Sequence, residues 1–246
     1  MSIIIYAIAE LYDLQSNKTL DFEAINSDSN IELETIQFDN LTAIVSRQDK
    51  NDISINKEDV LTYSKIIENI AQNLTILPMR YNSLVASDNE VINILTKNYS
   101  SFNDAIKTLY NKDEYSIRFL SSYKNSTDIT IKEKNELVPD ILKGDSSSKI
   151  YLINKYMHHK QEELHTQYQK ETQEKIKSEV EKITTQVIFK KPLTEAIIID
   201  LVLLIEKERK NELLQFVSDL QSIYPQHNIL LTGPWPPYNF AQIKVE

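Results

Sequence analysis

Apolar positions recur along this chain with two periods, and the places where each period starts and stops outline the elements. Residues 3–11 form a nearly unbroken apolar run and read as a buried first strand. Ile31 and Leu33, then Ile36 and Phe38 after a slip, alternate with polar residues before Asp39-Asn40 turns the chain into residues 41–46. That combination predicts a β-hairpin, with Arg47 at the end of its second strand and a polar loop over 48–56. Residues 57–73 carry Val60, Tyr63, Ile67, Ile70 and then Leu74 on one stripe, the spacing of an amphipathic helix. Residues 74–85 read as an extended segment in which Leu77, Pro78, Met79, Arg80 and Tyr81 stand together; Pro78 suits an edge strand or a bulge. Ser87 with Glu90 three residues on predicts a capping box, opening one helix that ends near Tyr110-Asn111. Its stripe is Val91, Ile94, Leu95, Phe102, Ile106 and Leu109.

In the second half, Tyr115, Ile117 and Phe119 alternate within a predicted strand over 114–123, with Arg118 on the opposite face. A polar, irregular insert over 124–148, holding Pro139 and Gly144, separates it from a long helix over 148–183. That helix starts apolar (Tyr151, Leu152, Tyr156) and is heavily charged from Lys160 onward; about 54 Å of helix is more than one domain covers, so its far part protrudes or bends back. A short strand at 187–190 precedes Pro192. Residues 196–205 are the most apolar run in the chain, as expected of a strand covered on both faces. A helix over 206–224, with Leu213, Phe216, Val217 and Leu220 inward, ends at Pro225, and 227–232 supplies the last strand. The order β, α, β, β, α, β is the split βαβ, ferredoxin-like pattern. The expected fold is α+β in two domains: 1–111, and a ferredoxin-like 112–246 with a long first helix.

The last strand runs into Gly233, Pro234, Trp235, Pro236, Pro237, Tyr238, Asn239 and Phe240, which hold the only Trp and one of the two Gly. Gly233 reaches backbone angles closed to other residues, while three prolines fix φ and remove three N–H donors. A stiff, extended tail is predicted, carrying Trp235, Tyr238 and Phe240 in a set orientation. Two readings are open: the tail caps its own core, or it is a preformed aromatic anchor for a partner.

Composition narrows the function classes. A net charge of −9 argues against nucleic acid or an anionic bilayer as the main partner, since both need clustered Lys and Arg. The absence of Cys removes disulfides and thiolate catalysis and fits a reducing compartment. The apolar opening lacks a basic region and is too short for a signal or a membrane span, so a soluble cytoplasmic protein is expected.

No phosphate loop or nucleophile elbow is present, and nothing in the sequence calls for a cofactor. His158, Glu162 and His165 fall at i, i+4 and i+7 on the long helix, the spacing at which three ligands reach one metal ion. Their neighbours Lys160, Gln161 and Glu163 favour a solvated helix face instead, so no metal site is assigned. His227, alone at the start of a strand, reads as structural. Arg47, Arg80 and Arg118 each follow or interrupt an apolar run, where a guanidinium is usually tied to a carboxylate or to carbonyls. No enzyme signature emerges.

Leu77-Pro78-Met79-Arg80-Tyr81 after an amphipathic helix, together with Leu231 through Phe240, resembles the GvpF/GvpL family of gas vesicle proteins. The opening apolar strand, residues 43–47 and residues 148–152 also resemble that family, so the likeness spans nearly the whole chain. Two departures stand out: the family often has Gly where this chain has Asn82 and Asn111. Asn tolerates left-handed angles better than most residues, so both turns are expected to survive. The resemblance implies a non-enzymatic accessory protein of gas vesicle formation, with two α+β domains, the C-terminal one ferredoxin-like. It implies a minor vesicle component that binds the apolar shell protein GvpA, alongside other accessory gas vesicle proteins, and limits GvpA aggregation during nucleation. Length and compact form favour the GvpF branch. On this reading Trp235, Tyr238 and Phe240 contact GvpA or buttress the groove that does. The alternative is a small-ligand or metal-ion-binding ferredoxin-like module with weak enzymatic activity, centred on Arg80 or on His158, Glu162 and His165.

Overall fold

The computed structural model describes residues 2–10, 31–48, 57–121, 147–194 and 196–243. Residues 49–56 of the predicted polar loop (48–56) and residues 124–146 of the predicted insert (124–148), Pro139 and Gly144 among them, lie outside the described residues. In chain order the elements are β1 (Ser2–Glu10), β2 (Leu33–Phe38), β3 (Leu41–Gln48), α1 (Lys57–Asn73), β4 (Ile76–Pro78), β5 (Leu84–Val85), α2 (Asp88–Lys97) and α3 (Tyr99–Leu109). Then follow β6 (Lys112–Ser121), α4 (Ser147–Val180), β7 (Val187–Lys190), β8 (Ile197–Glu206), a 3-10 turn (Lys207–Arg209), α5 (Lys210–Ile223) and β9 (His227–Trp235). This is a mixed helix-and-strand chain with two sheets, the α+β class its periodicities predict. Among the described residues no helix is long and apolar enough to cross a membrane.

Internal contacts divide the chain into two compact units. The first is Met1–Tyr115 with Leu204–Arg209 and Gly233–Glu246; the second is Ser116–Leu203 with Lys210–Thr232. The units are therefore not the consecutive stretches 1–111 and 112–246. Gly233–Glu246 groups with the first unit because Phe240, Ala241 and Ile243 pack on its core.

The first unit's sheet runs β2-β3-β1-β4, with β5 also paired to β1. The predicted hairpin forms, Phe38 facing Leu41, and Asp39 supplies the positive φ (54°) its two-residue turn needs. One face of the sheet (Ile3, Ile5, Ile8, Val45, Leu77) packs on Val91, Leu95, Phe102, Ile106 and Leu109 from α2 and α3. The other face (Ile4, Tyr6, Ala7, Ala9, Ile44) packs on Tyr63, Ile66, Ile67 and Ile70 of α1. Burying each such side chain contributes about 1.5–3 kcal/mol, so the sheet is held from both sides.

One helix was expected over 87–110, and two are found. Ser87 caps the first: its side chain accepts the Glu90 N–H, and the Glu90 carboxylate accepts the Ala86 N–H at 2.8 Å. At Asn98 the helix breaks (φ −104°, ψ 14°), because the Asn98 side chain and backbone both bond to Ile94 O. An Asn amide competing for a backbone carbonyl is the usual way this residue interrupts a helix.

In the other sheet the order is β7-β8-β6-β9. β7 and β8 are antiparallel, from Val187 opposite Leu203 to Lys190 opposite Asp200. Ile198, Ile199 and Leu201 through Ile205 are all buried, as the apolar run predicts. The element sequence β6-α4-β7-β8-α5-β9 follows the split βαβ pattern. α4 is one continuous helix of 34 residues; Thr172, Ile176 and Val180 near its end are buried, while Tyr151, Leu152 and Leu164 are exposed.

Candidate functional site

The two unusual stretches of the sequence converge on Tyr63, in the first unit. α1 places Tyr63 on its buried face, against the β1 residue Tyr6, with ring centroids 5.0 Å apart. The β1–β3 register slips between Ile5 and Ala7, so Tyr6 is an extra residue in a bulge. The bulge splits the edge of the sheet. β4 pairs with Ala7 through Ala9 and β5 with Ile3 and Ile4, leaving residues 79–83 as a loop between them. Met79 N–H still reaches Tyr6 O at 2.8 Å, and Ile5 N–H reaches Ser83 O at 2.9 Å, so both loop ends are fixed.

Within the loop, Arg80 O accepts the Ser83 N–H at 3.1 Å and the Ser83 hydroxyl at 2.8 Å. Asn82 has φ 66°, at the third turn position, where type II turns place Gly or Asn. Asn111 likewise has φ 57°, with its carbonyl accepting Lys207 N–H and its amide donating to Glu208 at 2.7 Å. Both Asn-for-Gly departures thus keep their turns. The Tyr63 hydroxyl donates to Met79 O at 2.8 Å, with Arg80 O 3.2 Å away, and its ring meets Tyr81 edge-on at 5.3 Å. Arg80 is left exposed at the tip, and its guanidinium makes no ion pair with a described residue. Among the described residues it shows neither the carboxylate nor the carbonyl partner expected of it.

The C-terminal stretch arrives from the other side. Gly233 sits in β9 with φ 125°, and a Cβ there would stand 2.8 Å from Glu114 O and 2.8 Å from Tyr115 Cδ1. The Gly233–Pro234 peptide is cis, and the strand continues to Trp235. Beyond it the chain departs from the extended tail expected. Pro236 and Pro237 are buried, and the Pro237 carbonyl accepts Phe240 N–H at 3.2 Å and Ala241 N–H at 2.9 Å, which folds the chain back. Phe240 and Met79 then pack on the same core cluster. Tyr238 stands beside Ser64, Glu68 and Tyr63; burial, with the charge of Glu68, pushes its phenol up to about 12. Tyr63 is also raised, chiefly by burial. These phenols stay protonated at neutral pH, and the Tyr63 hydroxyl acts as a donor.

Of the two readings of the tail, Pro236, Pro237 and Phe240 serve the core. Trp235 and Tyr238 remain 43% and 38% exposed, on a backbone locked at both ends. The lock at the far end is Glu114, which sequence reasoning used only as the start of a strand. Its carboxylate is 3% exposed and accepts two N–H groups of Asn239. Tyr63 was read only as a core position. Neither role had a local signal, since each depends on partners far along the chain.

The remaining candidates lie elsewhere. Arg47 is bidentate to Asp88 (2.9 and 3.2 Å) and bonds Glu34 at 3.0 Å, which holds the Asp88 carboxyl below its ordinary range and raises the guanidinium. In the second unit Arg118 reaches Asp200, which is 3% exposed, at 3.3 Å. On α4, His158 Nδ1 is 3.4 Å from Glu162 on an exposed face. Among the described residues no three metal-ligating side chains, His158, Glu162 and His165 included, converge on one point. His227 is buried against Phe119, with Nε2 2.6 Å from the Tyr168 hydroxyl.

A model of the family described as gas vesicle synthesis protein GvpL/GvpF matches residues 2–242. Gas vesicle protein F1 of Halobacterium salinarum is 20% identical over 243 residues, covering 98% of this chain and 92% of its own length. The crystal structure of the gas vesicle protein GvpF from Anabaena superposes with a TM-score of 0.77 at 18% identity, covering 99% of each chain. That of GvpF from Microcystis aeruginosa gives 0.71 at 17% identity, covering 98% of this chain and 99% of its own. At such identities the two crystal structures establish a shared fold, while the family match runs from β1 through the Asn239 lock. This chain belongs to the GvpL/GvpF family of gas vesicle synthesis proteins.

Proposed function

We propose that this protein is a non-catalytic accessory of gas vesicle formation that binds the apolar shell protein GvpA. It limits GvpA aggregation while the vesicle nucleates and stays in the vesicle as a minor component. The relatives named above are called GvpF or protein F1, which supports the GvpF branch. A shell subunit with open strand edges and apolar faces pairs readily with its own copies, and a protein that covers those features interrupts the pairing. The net charge of −9 keeps such a complex soluble.

One observation carries this reading: both distinctive motifs converge on Tyr63, leaving Trp235, Tyr238 and the Arg80 guanidinium outward on a backbone fixed from beneath. Preorganised aromatic and Arg groups are what interface hot spots are made of, because little entropy is lost when they bind. The test is capture of tagged GvpA by the wild type and by Trp235→Ala, with light scattering of GvpA followed in parallel. A Trp235→Ala protein with wild-type circular dichroism is expected to capture several-fold less GvpA. Undiminished capture by the folded variant removes the anchor role. GvpA that aggregates as fast with the wild type present as without it overturns the function itself.

A further inference from the structure

Among the described residues, strand β9 lies at an edge of the second sheet, with β6 as its neighbour. Part of its open side is filled by a side chain. Gln221, near the end of α5, donates its Nε2–H to His227 O at 2.7 Å, while its Oε1 accepts the Ile229 N–H at 3.0 Å. A carbonyl and the N–H two residues later are the pair that one residue of a parallel neighbour engages. The Gln221 amide therefore stands where the peptide group of one more strand would stand.

The Ile229 N–H points away from β6, so strand alternation turns the Ile229 carbonyl and both backbone polar groups of Leu231 outward as well. Gln221 bonds only His227 O and Ile229 N–H and does not reach these. Residues 228–232 carry no charge, although a Lys or an inward charge is the usual guard on an exposed edge. The stretch is apolar on both sides of the sheet: Leu230, 42% exposed, on one, and the half-buried Ile229 and Leu231 on the other. An uncharged edge with apolar side chains on both sides selects an extended segment of the same character, by strand addition.

The geometry points to the outward edge of β9, centred on Leu231, as the place where this protein takes an extended apolar segment of its partner. On the reading above that segment belongs to the shell subunit, and the inference rests on that reading. Gln221 holds the first peptide position until the segment arrives.

The test is capture of co-expressed, tagged GvpA by the full chain. Leu231→Pro removes one outward N–H without touching the ladder to β6, and Leu230→Lys places a charge on the edge. Each variant, folded by circular dichroism, is expected to retain roughly tenfold less GvpA than the wild type. Gln221→Ala is expected to retain more. If Leu231→Pro does not fold, Leu230→Lys decides. Capture by the wild type that persists in the folded variants overturns the edge and leaves shell binding standing. No capture by the wild type sinks shell binding and the edge with it. Loss of self-association alone, seen by light scattering without GvpA, gives the edge to a second copy and overturns the inference.

Discussion

Both carboxylate oxygens of Glu114 are held by a single residue, Asn239: Oε2 accepts its backbone N–H at 2.8 Å, and Oε1 accepts its side-chain N–H. The carboxylate is buried, so these bonds form where water does not compete, and hydrogen bonds to charged groups are then worth about 1.5–3 kcal/mol. Asn239→Ala keeps the backbone bond and loses the other. It should cost about 1.5–3 kcal/mol in urea unfolding and increase the solvent quenching of Trp235, the only Trp in the chain. A stability change without any change in Trp235 quenching would separate the lock from the surface it is held to position.

Gly233 fixes the other end of the same segment. At φ 125° an added Cβ is strained whatever the space, and here it also meets Glu114 O and Tyr115 Cδ1 at 2.8 Å. Backbone strain of this kind costs about 1–3 kcal/mol. Gly233→Ala should therefore lower the unfolding free energy by at least that much, seen as a lower midpoint in a thermal or urea melt read by circular dichroism. A midpoint within error of the wild type would show that β9 relaxes away from Glu114 at little cost.

Much of the fold was legible because period and caps are local. The hairpin at Asp39-Asn40, the bounds of α1 and the Ser87–Glu90 cap each follow from a few neighbouring residues. The break at Asn98 was not, because Leu95 and Phe102 keep helical spacing across it. The site was legible only as motifs. Three prolines announce a stiff segment but constrain nothing after Pro237, so the turn back at Tyr238 through Phe240 went unread. Glu114 and Asn239 are 125 residues apart, and the Tyr63 hydroxyl finds Met79 by tertiary placement, which no periodicity encodes.

The 79–83 loop offers a direct comparison of local chemistry. Asn82 occupies φ 66°, so Asn82→Gly should be neutral to within about 0.5 kcal/mol, whereas Asn82→Val should cost about 1–2 kcal/mol from the left-handed backbone alone. Tyr63→Phe, which strips a buried donor from the Met79 and Arg80 carbonyls, should cost about 1–3 kcal/mol. Urea unfolding of the three variants ranks them. Asn82→Val as stable as wild type would mean that the turn is not held in the left-handed region.

His227 gives the second unit a pH dependence of definite sign. Its ring is buried against Phe119 and Tyr168, and burial pushes its pKa down, against the opposing effect of the Leu120 backbone. The folded protein thus binds a proton less readily than the unfolded chain, whose His titrates near about 6.5. Stability is at its full value above that pH and falls as the pH drops below it, levelling off once the folded form is protonated too. The depressed carboxylates Asp88, Glu163 and Glu208 act in the same direction but at lower pH, so the His227 window stands apart. Urea midpoints measured from pH 8 to pH 5 should decline across this window in the wild type and stay flatter in His227→Gln. That variant keeps a polar atom for the Tyr168 hydroxyl but cannot take up a proton. Equal slopes in the two proteins would mean that His227 is as easily protonated folded as unfolded.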